Sequence, residues 1–97
     1  MAEFMLLMHA LPDGDSENAW ETYLEKLGQS GHLRGGSVIG DGKCFVKNGI
    51  APEVTGHING FIRIDADSLD DAATLLEGNP VYEAGGTVEI RELPRAG

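Results

Sequence analysis

The segment from His57 to Asp65 alternates between aliphatic side chains and polar or aromatic ones. A period of two is typical of a β-strand whose two faces have different surroundings. The aliphatic set should face a core and consists of Ile58, Ile62 and Ile64. The opposite set carries an imidazole, an amide, a ring and a guanidinium: His57, Asn59, Phe61 and Arg63. The segment therefore predicts a sheet with one buried face and one polar face.

The rest of the chain predicts the order βαββαβ. An apolar run forms a first strand over 3–9, and alternation returns in a last strand over 87–93. Residues 33–47 form a predicted hairpin with its turn at Gly40-Asp41-Gly42. Apolar residues at helical spacing predict two helices, the first capped by Asp15 or Ser16 and the second by Asp67 or Ser68. The second helix is predicted to end at 78–80, and a connector follows over 81–86.

This order of elements favours an α+β ferredoxin-like sandwich, in which the sheet order is 4-1-3-2 and both helices cover one face. Placing Phe4, Leu6 and Met8 under the helices leaves His9 on the uncovered face. In the last strand, Glu89 and Arg91 share that face. Because the first strand lies between the third and the last, we expect four groups to converge there: His9, Arg63, Glu89 and Arg91.

The uncovered face would also expose Met5, Leu7 and Phe61 in a monomer. A sizeable apolar patch usually marks an interface, and the two-fold pair is the commonest oligomer. We therefore expect a homodimer that packs its uncovered faces together around a polar cavity. The open alternative is a solvated face on which Arg63 and Glu89 form an ordinary ion pair.

Length and charge limit the class of protein further. The 97 residues predict one domain over 1–97, and a net charge of −9 disfavours nucleic acid or an anionic membrane as partner. Cys44 has no second cysteine with which to form a disulfide, and the longest apolar run is too short to span a membrane. We expect a cytoplasmic protein. Metal, phosphate-loop and nucleophile-elbow spacings do not occur, so no metal or cofactor is predicted.

Several segments resemble the YCII-related proteins, also called the DGPF family, over nearly the whole chain. They are Phe4–Met8, Gly31–Gly36, Gly60–Ala66, Ser68–Ala72 and, most specifically, Asn79–Leu93. The resemblance implies a ferredoxin-like protomer paired as a dimeric α+β barrel, and most members are bacterial.

The chain departs from the family pattern at two places. Asn48-Gly49-Ile50-Ala51 stands where the family has Asp-Gly-Pro-Phe. Members of the YCII type have been proposed to use a His–Asp pair with the histidine on the first helix. The corresponding position here holds Trp20, so the pair is not carried over.

These observations favour a protein that binds or transforms a small anionic molecule in the barrel cavity. His9 or His57 would move a proton in a lyase- or isomerase-like reaction. The ligand would be held by Asn59, Arg63, Glu89 and Arg91, with the carboxylate orienting one guanidinium. Two alternatives stay open: a non-catalytic protein-association module whose negative charge steers a basic partner, and a haem-handling or monooxygenase-like role.

Overall fold

The computed structural model describes residues 2–11 and 17–94, so the predicted caps at Asp15 and Ser16 lie outside the described residues. Within these ranges the chain forms four strands and three helices. Their bounds are β1 Ala2–His9, α1 Glu17–Ser30, β2 Leu33–Val38, β3 Ile58–Ala66, α2 Leu69–Thr74, α3 Pro80–Glu83 and β4 Val88–Leu93.

The strands form one antiparallel sheet in the order β2-β3-β1-β4, which confirms the predicted ferredoxin-like arrangement. The central strand β1 pairs with β3 on one side and β4 on the other. Met5 therefore lies opposite both Arg63 and Arg91, and Leu7 lies opposite both Phe61 and Glu89. This register places the polar residues of three strands in adjacent rows.

The core lies between the sheet and the helices, as the alternation predicts. In β1, Phe4, Leu6 and Met8 are buried while the residues between them are only half-buried. They pack with buried residues of β3 and the helices, namely Ile62, Ile64, Tyr23, Leu27, Ala72, Leu76 and Val81. All three helices therefore cover one face of the sheet and leave the other bare.

The region after β3 differs from the prediction in where its helices end and begin. Ser68 caps α2 as expected, because its side chain accepts a hydrogen bond from the Asp71 amide. The helix ends at Thr74, earlier than predicted. The predicted connector is also wrong, because Asn79 begins α3 by accepting hydrogen bonds from two amides through Oδ1. Asn followed by Pro80 is a helix start as well as a helix stop.

The predicted hairpin over 33–47 is wrong beyond Val38. Residues 39–56, which we call the β2–β3 arm, form neither helix nor strand. Two-residue hairpin turns need positive φ, and neither Gly40 nor Gly42 is among the glycines that adopt it. The arm instead leaves the sheet at β2 and returns at the start of β3.

Leu6 provides a test of this core, since it is fully buried in the central strand. Leu6→Ala should lower the free energy of unfolding by about 3 kcal/mol, because it removes apolar contacts and leaves a cavity. Urea denaturation measures the loss. The matched control Leu69→Ala, at a side chain 55% exposed on α2, should cost less than about 0.5 kcal/mol. Equal losses in the two variants would contradict this placement of the core.

Candidate functional site

The bare side of the sheet, which we call the open face, has an apolar centre with charged groups around it. Met5, Leu7 and Phe61 are half-buried there. Arg63 and Arg91 are the cross-strand neighbours of Met5, and both are exposed. The guanidinium groups thus lie on the face away from the helices, as the alternation predicts.

The most connected polar group on the open face joins β1 to β4. His9 Nε2 lies 3.2 Å from Glu89 Oε1, and Arg91 Nη1 donates to Glu89 Oε2 at 3.2 Å. The carboxylate thus bridges an imidazole and a guanidinium. Hydrogen bonding to His9, and then to Arg91, lowers the pKa of Glu89. An ionised Glu89 therefore faces the imidazole near neutral pH.

The direction of the His9–Glu89 hydrogen bond determines what the imidazole can do. A carboxylate only accepts hydrogen bonds, so Nε2 carries the proton and donates to Glu89. In a neutral ring Nδ1 is then the lone-pair nitrogen, available to take a proton from a ligand. This carboxylate–imidazole pair can serve as a general base and then as a general acid.

A β-bulge positions the His9 end of the sheet. Met8 pairs with Gly60 but His9 pairs with Ile58, so Asn59 is the extra residue of β3. Asn59 is exposed, and its carbonyl accepts a hydrogen bond from the Ile39 amide at 3.0 Å. Its main chain thus helps to anchor the β2–β3 arm beside the site.

His57 follows the arm and lies against His9. The two imidazole rings meet edge to face, with centroids 5.0 Å apart and an interplanar angle of 73°. The Ala10 amide donates to the His57 carbonyl at 2.7 Å, which fixes the main chain beside the end of β1. The structure therefore brings together both histidines that the sequence analysis selected.

Arg63 does not join this group. Its Nε lies 3.4 Å from Glu3 Oε1, and its Nη2 donates to the Arg34 carbonyl at 3.0 Å. The guanidinium passes over Gly35, where a Cβ atom would be in ordinary van der Waals contact with Nη2 at 3.6 Å. The expected convergence thus includes His9, Glu89 and Arg91, while Arg63 pairs with Glu3 and not with Glu89.

The sequence analysis missed two acidic residues that organise the far end of the open face. Glu3 is the partner of Arg63, and Asp65, nearly buried, lies 2.6 Å from Arg34 Nε. Glu3 shares its alternation set with Met5, and Asp65 shares its set with Arg63. Extending the alternation by one step in each strand would have found both.

A second cleft lies on the helix side. It has a volume of about 320 Å³ and is lined by His32, Ala66, Asp67, Asp71, Thr74 and Leu75. The His32 imidazole, just before β2, donates from Nδ1 to the Asp65 carbonyl of β3 at 2.8 Å. Across residues 2–11 and 17–94, no group of three or more His, Cys, Asp or Glu is arranged to hold a metal ion. The open face is the better candidate because it brings His9, Glu89 and Arg91 into contact.

Together, the fold and the open face define a ferredoxin-like α+β protein with a polar site on its uncovered sheet. The sequence model of the YCII-related domain matches residues 2–95, so the chain belongs to the YCII-related family. This confirms the resemblance seen in the sequence. Among the helices that the structure describes, none is long and apolar enough to span a membrane.

A solved structure shares this fold over almost its whole length. It is the 5-chloro-2-hydroxyhydroquinone dehydrochlorinase (TftG) of Burkholderia phenoliruptrix AC1100, in complex with 2,5-dihydroxybenzoquinone. The TM-score is 0.55 at 15% identity, and the match covers 97% of this chain and 95% of the dehydrochlorinase. At this identity the likeness establishes the fold alone. A comparison with curated proteins finds no match.

The lowered pKa of Glu89 gives a pH-dependent prediction. The folded chain favours the ionised carboxylate, so Glu89 should stabilise the fold above its ordinary pKa of 4.5 and lose this effect as pH falls through the lowered value. The free energy of unfolding of wild type should therefore exceed that of Glu89→Gln near neutral pH, and the two values should become equal in acid. Urea denaturation over a pH series measures it.

The matched control for this experiment is Glu92→Gln. Glu92 lies on the same strand, is exposed, and has no ion pair among the described residues. Its replacement should change stability by less than about 0.5 kcal/mol. A Glu89→Gln variant that behaves like this control would argue against the bridge between His9 and Arg91.

Proposed function

We propose that the chain binds a small anionic molecule on the open face and transforms it by acid–base chemistry of the lyase or isomerase type. The observation that supports the proposal is the contact of His9 with Glu89, at 3.2 Å, beside the apolar centre of the face. A carboxylate that holds an imidazole in one tautomer is a recurring way to prepare a proton-transfer group.

His9 is the proton-transfer group of this proposal. Nδ1 takes a proton from the bound molecule, and the ionised Glu89 stabilises the imidazolium that forms. The same ring then returns the proton at another atom of the ligand, or to its leaving group. Acid–base groups placed in this way contribute roughly 10²–10⁴-fold to rate. His57, in edge contact with His9, is the second imidazole within reach of the ligand.

The ligand proposed for this face is small, partly apolar and ionisable. Met5, Leu7 and Phe61 give an apolar surface for a ring or short chain, and the guanidinium groups of Arg63 and Arg91 lie on either side of Met5. Asn59 offers an exposed amide at the His9 end. The dihydroxyquinone bound by the structurally similar dehydrochlorinase is a molecule of this kind, which supports the ligand class but not the same reaction.

We infer that the working form is a homodimer with its open faces together. A single copy leaves the apolar centre of the face partly exposed and the site open to water. A second copy would cover the apolar centre and enclose the charged groups, as the family resemblance implies. A bacterial cytoplasm remains part of the same proposal, because the single cysteine suits a reducing compartment.

A non-catalytic association module is the second candidate. It is favoured by Phe45 and Ile50 of the β2–β3 arm, which are 87% and 98% exposed. Exposed apolar side chains that lie close together on one segment are typical of a contact surface. This candidate predicts no dependence of ligand binding on His9.

Binding of 2,5-dihydroxybenzoquinone, used as an acidic probe, tests the proposal. Isothermal titration should show binding to wild type and a loss of about 10–100-fold in affinity for His9→Ala, because the acidic probe can no longer pass its proton to Nδ1 and be held as an anion by the resulting imidazolium. The control is His32→Gln, at the histidine on the helix side, which should bind as wild type does. Circular dichroism confirms that both variants are folded. Equal affinity in all three proteins, or no binding to any, would reject the proposal.

A further inference from the structure

The β2–β3 arm lies outside the body of the molecule. Apart from Cys44 and Ala51, every residue from 39 to 56 is exposed, and Phe45 and Ile50 are the most exposed of its large apolar side chains. The radius of gyration, 14.9 Å, is larger than the roughly 12.5 Å of a compact domain of this length. In this conformation the arm has no part in the core.

Among the described residues, hydrogen bonds attach the arm to the body only at its two ends, which we call the anchors. At the first anchor the Ile39 amide donates to the Asn59 carbonyl at 3.0 Å. At the second, the Ala10 amide donates to the His57 carbonyl at 2.7 Å. Between the anchors, residues 40–56 form no hydrogen bond or ion pair with any residue that the structure describes. Few contacts of this kind are typical of segments that open and close on a stable scaffold.

A glycine stands next to each anchor, where a hinge would have to turn. Gly40 follows the first anchor and Gly56 precedes the second, and a Cβ atom at either position would meet nothing within 4 Å. Because it has no side chain, glycine changes φ and ψ over a wider range than other residues do. The arm therefore has a residue at each end that can absorb the rotation of the whole segment.

Both anchors lie beside the site. Asn59 is the bulged residue of β3, and Gly56 directly precedes His57, whose ring meets that of His9. The tip of the arm is about eight residues from each anchor, which gives a reach of roughly 26 Å. His9 and Met5 are four residues apart on β1, or roughly 14 Å. The arm is therefore long enough to cover the open face of its own chain from the His9 end.

The open face offers an apolar counterpart to the arm. Leu7 and Phe61 lie opposite each other on neighbouring strands and are half-buried. A ring or short chain bound on them would leave one side in water, and Phe45 and Ile50 have the apolar surface to cover it. Excluding water there would also strengthen the ion pair of the His9 imidazolium with its carboxylate.

We propose that the β2–β3 arm is a lid of its own chain, which turns about its two anchors so that Phe45 and Ile50 cover a ligand held beside His9. The structure shows the arm in the open position. Opening admits the small molecule, and closing keeps water from the reacting atoms. In the homodimer proposed above, each arm would close the site of its own chain. The covering of a ligand rests on the proposed function, whereas the movement of the arm onto the open face does not.

Disulfide trapping tests the movement without a ligand, because Cys44 lies on the arm and is the single cysteine of the chain. In a glutathione buffer, Leu7→Cys should form a disulfide within one chain at least about tenfold faster than Tyr82→Cys, since the two Cα atoms must come within about 7 Å. Tyr82 is the matched control because it is half exposed on the helix side. It lies on α3, which leads into β4 at the end of the sheet where Val88 pairs with Met8.

Mass spectrometry of the unreduced protein reads the result. A disulfide within one chain of Leu7→Cys supports the lid, and Phe61→Cys in the same row gives a second variant if circular dichroism shows the first to be unfolded. Equal rates in the open-face and helix-side variants would overturn the lid. So would a disulfide that joins two chains, because the arm would then reach a second copy.

Hydrogen exchange tests the closing of the arm over a ligand. Peptides from 41–55 should exchange their amide hydrogens at least about threefold more slowly when 2,5-dihydroxybenzoquinone is bound, because closing shields amides that face water in the open position. Unchanged exchange in the bound state would contradict the lid.

Affinity tests the role of the two apolar side chains. The double variant Phe45→Ser, Ile50→Ser should bind the same probe about tenfold more weakly, because the ligand loses its apolar cover. The control Leu69→Ser, Tyr82→Ser, on the helix side, should bind as wild type does. An arm variant with the affinity of wild type would overturn the lid. If wild type does not bind the probe, the proposed function fails and disulfide trapping alone decides the lid.

Discussion

The structure depends on the central strand β1, which must satisfy two different surroundings at once. Its odd and even positions face opposite layers: Leu6 is fully buried under the helices, whereas Leu7 lies half-buried on the open face. Pairing on both edges satisfies its main chain and fixes the register of β3 and β4. A shift of one residue would exchange the two faces, so packing of the core also determines which groups meet at His9.

Charge on the open face is arranged in pairs that cancel. Glu89 accepts from His9 and Arg91, and Glu3 pairs with Arg63, so the net charge of −9 arises elsewhere. Burying an unpaired charge in an interface is costly, whereas charges that already have partners can be enclosed at a smaller cost. The pairing therefore suits a face that a second copy covers. It also means that the proposed anionic ligand would have to displace a carboxylate from Arg63 or Arg91 to pair with either guanidinium.

The alternation of side chains could predict much of this arrangement, but only up to the register. The alternation of side chains is enough to place His9, Glu89 and Arg91 on one face of the sheet. The order of the elements then predicts that their strands are neighbours. The alternation does not determine which residues lie opposite each other on neighbouring strands, so the ion pair of Arg63 with Glu3 could not be predicted. The prediction of a hairpin over 33–47 was wrong for another reason. Gly40 and Gly42 are residues typical of turns, but neither adopts the positive φ that a two-residue hairpin turn requires. Asn79 and Pro80 were interpreted as the end of one helix when they also begin another.

The departure at Trp20 bears on where acid–base chemistry can come from. The family resemblance places a histidine at this position, but here an indole packs against the core and meets Tyr23 edge to face, with centroids 6.0 Å apart. An indole N–H donates a hydrogen bond but does not exchange a proton near neutral pH. In the proposed acid–base function, the proton-transfer group is therefore an imidazole elsewhere in the chain. Within the part of the chain that the structure describes, His9 is the one histidine with a carboxylate in contact, so the proposed function places proton transfer on the sheet rather than on the first helix.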